Sequence, residues 1–260
     1  MIPIHDDNPT SRPSIVVPIL ILLNVVVFLT EPVFRHSPDP RLAAQQQVTY
    51  FACTAAIPYE VTHDRTLANS LAALPNGNAR LIGRYQAGDL PEVGPGCPHK
   101  SIALSILMSM FLHGSILHIA GNMLFLWVFG NNIEDRLGRL KFVFFYLACG
   151  IVATLAQSFA LPGSIGPLIG ASGAIAGVLG AYLILFPRAM VTTLVFIFFI
   201  RIPAVVVLGL WFVMQLVQGV GAPAGAGGIA YYAHIGGFVA GILLLLIFRP
   251  RRGSPAPLFS

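Results

Sequence analysis

The sequence predicts an all-α polytopic membrane protein with six spanning helices and a long outer loop between the first two helices. Its 260 residues are 56% hydrophobic and only 10% charged, whereas soluble domains carry about 25% charged residues. Apolar runs recur along the chain, and most approach the roughly 20 residues that a helix needs to cross a bilayer. Because unpaired backbone is costly in lipid, these runs are expected to be helices and not open strands.

Six apolar runs are the candidate spans, and the fourth of them is short. They lie at 14–31, 114–133, 140–161, 171–187, 203–220 and 230–249. The outer loop at 32–101 is too long for a bare connection, so we expect it to carry structure of its own. The apolar stretch 101–112 is expected in or near the membrane interface, leading into the second span.

The basic residues indicate orientation and not a nucleic-acid partner, although the net charge is +5. They flank the apolar runs, and nine of the 15 fall in the short segments on the side of the N-terminus, which marks the cytoplasmic side. These nine are Arg12, Arg136, Arg139, Lys141, Arg188, Arg201, Arg249, Arg251 and Arg252. We therefore expect a cytoplasmic segment 1–13, a membrane domain 14–249 and a cytoplasmic tail 250–260, in a prokaryotic plasma membrane. The first span is expected to be retained, because the segment before it is a poor signal-peptide n-region.

The cysteines and histidines do not form a metal-binding pattern. Cys53 and Cys97 lie in the outer loop, where a disulfide and two unpaired thiols both remain open; a disulfide would stabilise the loop by roughly 2–4 kcal/mol. Cys149 lies inside the third span and is expected to be a small buried apolar residue. His113 and His118 are five residues apart, which would direct them to different faces of a helix, so metal binding is disfavoured. We expect no metal and no cofactor.

Polar side chains stand near the start of three apolar runs, where ionisable and polar groups suggest a functional site. His118 and Asn122 are four residues apart in the second span and share a helix face. Ser172 opens the fourth span, and His234 lies one turn into the sixth. Spans two, four and six all begin at the outer face, so these four groups are expected at a similar depth.

Small residues predict that the fourth and sixth spans pack closely, because glycines three and four residues apart let two helix backbones approach. Gly173 and Gly177 in the fourth span and Gly237 and Gly241 in the sixth supply this pattern. The close packing would bring Ser172 next to His234, the minimum for an activated nucleophile.

No acidic residue follows Asp135, so we expect a Ser-His dyad without a carboxylate. The candidate donors for an oxyanion are His118, Asn122 and the backbone N–H groups at the start of the fourth span, where a helix N-terminus favours negative charge.

Three separated motifs, "HGSILHIAGN", "GASGAIAG" and "AHIGGFVAG", resemble the rhomboid family of intramembrane serine proteases. The similarity covers about residues 103 to 248. It implies a rhomboid-like six-helix bundle, a Ser-His dyad and cleavage of single-span or multi-span membrane proteins within the lipid bilayer. By position, it implies Ser172 as nucleophile, His234 as general base, His118 and Asn122 as oxyanion donors, and structural roles for His113, Gly173, Gly237 and Gly241.

Two positions depart from the family pattern. Many members carry an aromatic residue four positions after the serine, which stacks on the catalytic histidine, but this chain has Ala176. Support for the histidine is then expected from another helix. Many members also carry a Trp-Arg pair before the second span, where this chain has Leu104 and Ser105, so that segment is expected to be anchored differently.

The predicted function is an intramembrane serine endopeptidase that cleaves transmembrane segments near the outer leaflet through an acyl-enzyme. The alternative is a non-catalytic rhomboid-like protein that binds membrane-protein clients. A transporter is disfavoured, because ion-coupled carriers usually need a carboxylate inside their spans. We also expect the loop 219–230, together with Trp211 and Phe212 of the fifth span, to move and admit substrate.

Overall fold

The computed structural model describes residues 2–33, 38–66, 97, 99–221, 229–248 and 250. The chain is mostly helical. Its helices are α1 (Val16–Thr30), α2 (Pro40–Thr54), α3 (Pro58–His63), α4 (Ile102–Ser109), α5 (Ile116–Leu137), α6 (Arg139–Ala160), α7 (Ser172–Leu185), α8 (Ala204–Gly221) and α9 (Tyr231–Phe248). Three strands, β1 (Ile2–Asp6), β2 (Met190–Val195) and β3 (Phe198–Pro203), form one sheet.

Each of the six predicted apolar runs corresponds to one helix. Within the described residues, α5, α6 and α9 are long and apolar enough to cross a membrane, and α1, α7 and α8 are shorter apolar helices. The fourth run was expected to be short, and α7 has 14 residues. The sequence placed the end of the second span at 133, whereas α5 continues to Leu137.

The sheet was not predicted, and the expectation of an all-α chain is wrong for these residues. Strands β2 and β3 form an antiparallel hairpin, and β1 pairs antiparallel with β2, so that Ile2 lies opposite Leu194. The hairpin is rich in β-branched and aromatic residues, which favour strands. Phe196 has a φ of 55° at the turn. Most of residues 190–203 are apolar, so the sequence did not distinguish these strands from the fifth span that follows them.

The N-terminal end of the bundle is held by acidic side chains. The Glu134 carboxylate of α5 accepts the backbone N–H groups of Ile15, Val16 and Val17 at 2.8, 3.0 and 2.9 Å, and it also accepts the Ser14 hydroxyl. The first N–H groups of a helix have no partner inside the helix, so Glu134 caps α1 from a neighbouring helix.

Helix α7 lies at the centre of the core, and every residue from Gly173 to Tyr182 is buried. A Cβ atom at Gly237 would overlap the carbonyl oxygen of Gly173, and one at Gly241 would overlap that of Gly177. Helices α7 and α9 therefore pack backbone against backbone, as the small residues predicted. No larger side chain fits at these glycines without separating the helices.

The segment between α1 and α5 contains α2, α3 and α4 within its described residues. Cys53 of α2 and Cys97 form a disulfide with Cα atoms 5.4 Å apart, so the open alternative of two free thiols does not hold. Cys149 is buried and unpaired, as expected. Residues 67–96, the middle of the predicted outer loop, lie outside the described part.

Candidate active site

Ser172 and His234 meet at the end of the bundle opposite the N-terminal sheet, which we call the site end. Ser172 Oγ lies 2.8 Å from His234 Nε2. Ser172 is the first residue of α7, and His234 lies in the first turn of α9. The glycine contacts between these helices bring the two side chains within hydrogen-bond distance, the arrangement that the sequence predicted.

A cavity of about 360 Å³ opens beside this pair. Its lining includes the four polar side chains that the sequence grouped together: His118, Asn122, Ser172 and His234. Apolar residues of α5, α7 and α8 and of the loop 167–169 form much of the remaining wall. A concave, mostly apolar cavity with a few convergent polar groups is the usual form of a binding site.

Gly170 lies close to both Ser172 and His118, one of the predicted oxyanion donors. Its φ is +122°, a conformation that favours glycine, and an added Cβ would lie 2.8 Å from His118 Nε2 and 3.5 Å from Ser172 Oγ. The missing side chain therefore lets the backbone pass between His118 and Ser172. Any larger residue would be strained and would press on His118.

Asn122 carries an unused hydrogen-bond donor. Asn122 is only 8% exposed, and its Nδ2 has no hydrogen-bond partner among the described residues. Leaving a buried donor unpaired costs about 1–3 kcal/mol, so this amide is available to a group that enters the cavity. An oxyanion would be such a group.

His113 is fully buried and lies outside the cavity lining. Its backbone N–H donates to the Glu31 carboxylate at 3.0 Å, and its ring meets the His118 ring edge-on, with centroids 5.0 Å apart. The expectation that His113 points away from His118 was therefore wrong. Helix α5 begins only at Ile116, so a helical angle does not apply to His113, which precedes the helix.

The support for His234 comes from α8. Gln215 Oε1 lies 2.7 Å from His234 Nδ1, and the Trp211 ring lies 5.8 Å from the His234 ring at an interplanar angle of 37°. Ala176 cannot stack on the histidine, and these two residues contact it from another helix. The sequence analysis missed Gln215, although an amide in an apolar span, four residues after a tryptophan, was a detectable signal.

A second amide holds the start of α9. Gln157 of α6 is buried, and its Oε1 accepts the backbone N–H of Ala233 at 3.1 Å. Because Ala233 precedes His234, this bond fixes the backbone that carries the imidazole. Sequence reasoning missed Gln157 as well, because it considered only the polar groups near the helix starts.

Backbone bonds fix the loop that leads into Ser172. Gly170 N–H donates to the Ser109 carbonyl at 2.8 Å, and Leu168 N–H donates to the Ala56 carbonyl at 2.7 Å. Ala56 N–H in turn donates to Ser109 Oγ at 2.7 Å. The segment after α2 and the end of α4 therefore clamp the loop just before the serine.

A buried ion pair anchors the segment that precedes α4. Lys100 Nζ contacts the Glu60 carboxylate at 2.5 Å and donates to the Ala52 carbonyl at 2.8 Å. Burial lowers the pKa of the Lys100 ammonium, and the neighbouring Glu60 counteracts part of this effect. These contacts lie just before Leu104 and Ser105, the positions where the family resemblance implied a Trp-Arg pair.

Comparisons with known proteins identify a related family. A protein-family model described as the Rhomboid domain matches residues 101–251. The chain belongs to the rhomboid family. Rhomboid protein 1, mitochondrial, of Saccharomyces cerevisiae is 35% identical over 147 residues, which cover 54% of this chain and 40% of that protein.

Two further relatives extend the comparison. Presenilin-associated rhomboid-like protein A, mitochondrial, of Danio rerio is 37% identical over 92 residues, or 35% of this chain and 24% of that protein. RHOMBOID-like protein 6, mitochondrial, of Arabidopsis thaliana is 27% identical over 157 residues, or 57% of this chain and 45% of that protein. The matched region spans less than half the length of each of these three relatives.

These relatives contradict the predicted location. The sequence was interpreted as that of a prokaryotic plasma-membrane protein with cytoplasmic termini, but the three relatives are named as mitochondrial. They point to a mitochondrial membrane. The distribution of basic residues indicates which ends of the spans lie on the same side of a membrane. It does not indicate which membrane holds the protein, so the location inferred from it was wrong.

Proposed function

We propose that this chain is an intramembrane serine endopeptidase that cleaves transmembrane segments of membrane proteins through a Ser172–His234 dyad. The observation that carries the proposal is the 2.8 Å hydrogen bond between Ser172 Oγ and His234 Nε2. In this proposal α1 and α5 to α9 are six spans of a membrane domain over 14–249, and 32–101 is its insertion on the site side.

The chemistry follows from the pairing of a hydroxyl with an imidazole, since a serine is a weak nucleophile until a base takes its proton. Ser172 Oγ attacks the scissile carbonyl carbon while its proton moves to His234 Nε2. The imidazolium then protonates the leaving amine, and the peptide C–N bond breaks to give an acyl-enzyme. A water molecule, deprotonated by His234, hydrolyses the ester and restores the serine.

The oxyanion that forms during attack needs donors close to Ser172. The unpaired Asn122 Nδ2 supports a role as one donor, and His118 lines the same cavity. The backbone N–H groups at the start of α7 are further candidates, because a helix N-terminus attracts negative charge. One such donor contributes about 2.7–4 kcal/mol to the transition state.

The alternative function is non-catalytic binding of membrane-protein clients by the same architecture. A client-binding protein has no need of a base beside a partly buried serine, so the Ser172–His234 hydrogen bond favours the protease. The two functions differ in one measurable respect, which is turnover at Ser172.

The test compares two serine variants of the full-length chain in proteoliposomes with a single-span reporter substrate. Ser172→Ala removes the nucleophile, and Ser158→Ala is a matched control, because the Ser158 hydroxyl is buried in α6 and bonds to the Thr154 carbonyl. We expect the wild type and Ser158→Ala to cleave the reporter and to be labelled by a fluorophosphonate. Ser172→Ala should do neither.

Two outcomes would contradict the protease. Ser172→Ala could cleave at the wild-type rate, which would exclude Ser172 as the nucleophile. The wild type could instead bind the reporter with neither cleavage nor labelling, which would favour the client-binding alternative.

A further inference from the structure

His234 is held through both of its ring nitrogens. Nε2 lies 2.8 Å from Ser172 Oγ, and Nδ1 lies 2.7 Å from Gln215 Oε1. A neutral imidazole carries its proton on one nitrogen and a lone pair on the other. A base that takes the Ser172 proton at Nε2 must therefore carry its own proton on Nδ1, and that proton needs an acceptor.

We propose that Gln215 is a positioning residue of the dyad, which holds His234 in the tautomer whose Nε2 lone pair faces Ser172. This inference rests on the proposed function and adds a third group to it. The amide oxygen of Gln215 accepts the Nδ1–H bond and fixes the ring in line with the serine. When His234 becomes an imidazolium, the same oxygen keeps its hydrogen bond to the charged ring.

Trp211 completes this support from the same helix. Trp211 and Gln215 are four residues apart on α8, so both face α9. The Trp211 ring packs against both His234 and Phe238, one turn apart on α9, with centroid distances of 5.8 and 6.1 Å. The tryptophan limits rotation of the imidazole, and the glutamine selects its tautomer.

The environment of Gln215 favours this role over a solvated amide. Gln215 is 8% exposed, whereas many of its neighbours on α8, among them Val213, Met214 and Val217, are exposed. An amide in this position lacks negative charge, so it orients the histidine without the desolvation cost that a buried carboxylate would carry. This explains how a dyad can work when no acidic residue follows Asp135.

A purely structural hydrogen bond between two helices is the competing explanation. Such a bond would affect thermal stability and would leave the titration of His234 in the reaction unchanged. The kcat of cleavage and its pH profile separate the two explanations, because the acid limb reports the pKa of the catalytic base, and that pKa responds to the charge of the group in contact with its ring.

The experiment measures kcat, KM and the pH profile for three variants of the full-length chain in proteoliposomes. Gln215→Ala removes the acceptor, and Gln215→Glu replaces it with a charged one. Gln218→Ala is the matched control, since Gln218 is exposed on the same helix. Fluorophosphonate labelling of Ser172 is followed in parallel.

We expect Gln218→Ala to match the wild type. Gln215→Ala should lower kcat roughly 10- to 100-fold, below the 10²–10⁴-fold that a general base supplies in full, with KM changed less than about twofold. Its labelling rate should fall in parallel. Gln215→Glu should restore much of kcat and move the acid limb to higher pH, because a carboxylate stabilises the imidazolium.

The inference is overturned if Gln215→Ala keeps the kcat of Gln218→Ala, or if Gln215→Glu leaves the acid limb where the wild type has it. These failures differ from failure of the proposed function. If Ser172→Ala still cleaves, the protease itself is wrong. If Ser172→Ala is inactive while the Gln215 variants are unchanged, only the role of Gln215 is wrong.

Discussion

The two ends of the helix bundle use polar side chains in opposite ways. At the N-terminal end the carboxylates of Asp6, Glu134 and Asp135 each accept several hydrogen bonds. At the site end the polar groups of the cavity include imidazoles, an amide and a hydroxyl, and the amide nitrogen has no partner within the described residues. Asn132 and Asn122 of α5 illustrate the difference on a single helix.

Asn132 Nδ2 donates to the Asp6 carboxylate at 2.8 Å, and Tyr182 of α7 donates its hydroxyl to the same oxygen at 2.6 Å. Asn122 Nδ2, ten residues earlier, is buried without a partner among the described residues. Buried polar groups whose hydrogen bonds are all made stabilise the fold. A buried donor without a partner costs free energy unless a ligand or a transition state accepts its hydrogen bond. For these two asparagines, the comparison assigns a structural role to Asn132 and makes Asn122, which lines the cavity, a candidate functional residue.

The largest expected effect comes from removing His234, the proposed base at the site end. His234→Ala should lower kcat by about 10⁴-fold or more, as loss of a catalytic base does in serine proteases, and the apparent melting temperature should change little. The control is His5→Ala, which removes an exposed histidine of β1 and should leave cleavage unchanged. Equal cleavage by His234→Ala and His5→Ala would contradict the assignment of the catalytic chemistry to the site end.

The second effect compares the two asparagines directly. Asn122→Ala should lower kcat by about 10²–10³-fold, because one oxyanion donor contributes about 2.7–4 kcal/mol, while stability is retained. Asn132→Ala should retain kcat and lose about 1–3 kcal/mol of unfolding free energy, because it removes a donor to Asp6. Reporter cleavage and detergent unfolding measure the two effects. A lower kcat for Asn132→Ala than for Asn122→Ala would contradict this prediction.

The third effect tests the Glu134 carboxylate, which caps the start of α1 at the N-terminal end of the bundle. Glu134→Gln leaves a single acceptor oxygen for four donors, so the free energy of unfolding should fall by about 1.5–3 kcal/mol, the range for hydrogen bonds to a charged group. Asp135→Asn should cost less, because its bonds to Ser11 are exposed. Denaturant titration of both variants checks this order, and a larger loss for Asp135→Asn would show that the cap is not the main attachment of α1.

The smallest effect is a pH dependence at Asp6. Burial raises the pKa of Asp6 above its ordinary value of 3.8, and the bond from Tyr182 opposes this shift. The folded chain therefore holds the Asp6 proton more tightly than the unfolded chain does. The contribution of this proton to the free energy of unfolding is fully present below pH 3.8 and is lost as pH rises through the raised pKa of Asp6. Asp6→Asn should flatten the change of melting temperature over this acidic range. A wild-type melting temperature that rises there more steeply than that of Asp6→Asn would contradict the sign.

The candidate site was predictable in part because its signals are local. Ser172 and His234 stand near the starts of apolar runs, and Gly173, Gly237 and Gly241 mark the faces that pack. The direction of His113 was predicted wrongly because a helical angle was applied to it, although it precedes both the predicted span at 114–133 and α5, which begins at Ile116. Gln215 was detectable as an amide in an apolar run, but its contact with His234 depends on the rotation of α8 against α9, which the sequence of α8 does not specify.

The sequence by itself determined the membrane class, the positions of the six apolar helices, the shortness of α7 and the close packing of α7 against α9. These follow from composition and from the spacing of small residues along one helix, both of which are local properties. Only the tertiary structure decided the sheet that joins β1 to the hairpin, the Cys53–Cys97 bond, the free amide of Asn122 and the contact of Gln215 with His234. Each of these joins segments far apart in the chain, so it depends on how helices and strands lie against one another after the apolar surfaces are buried.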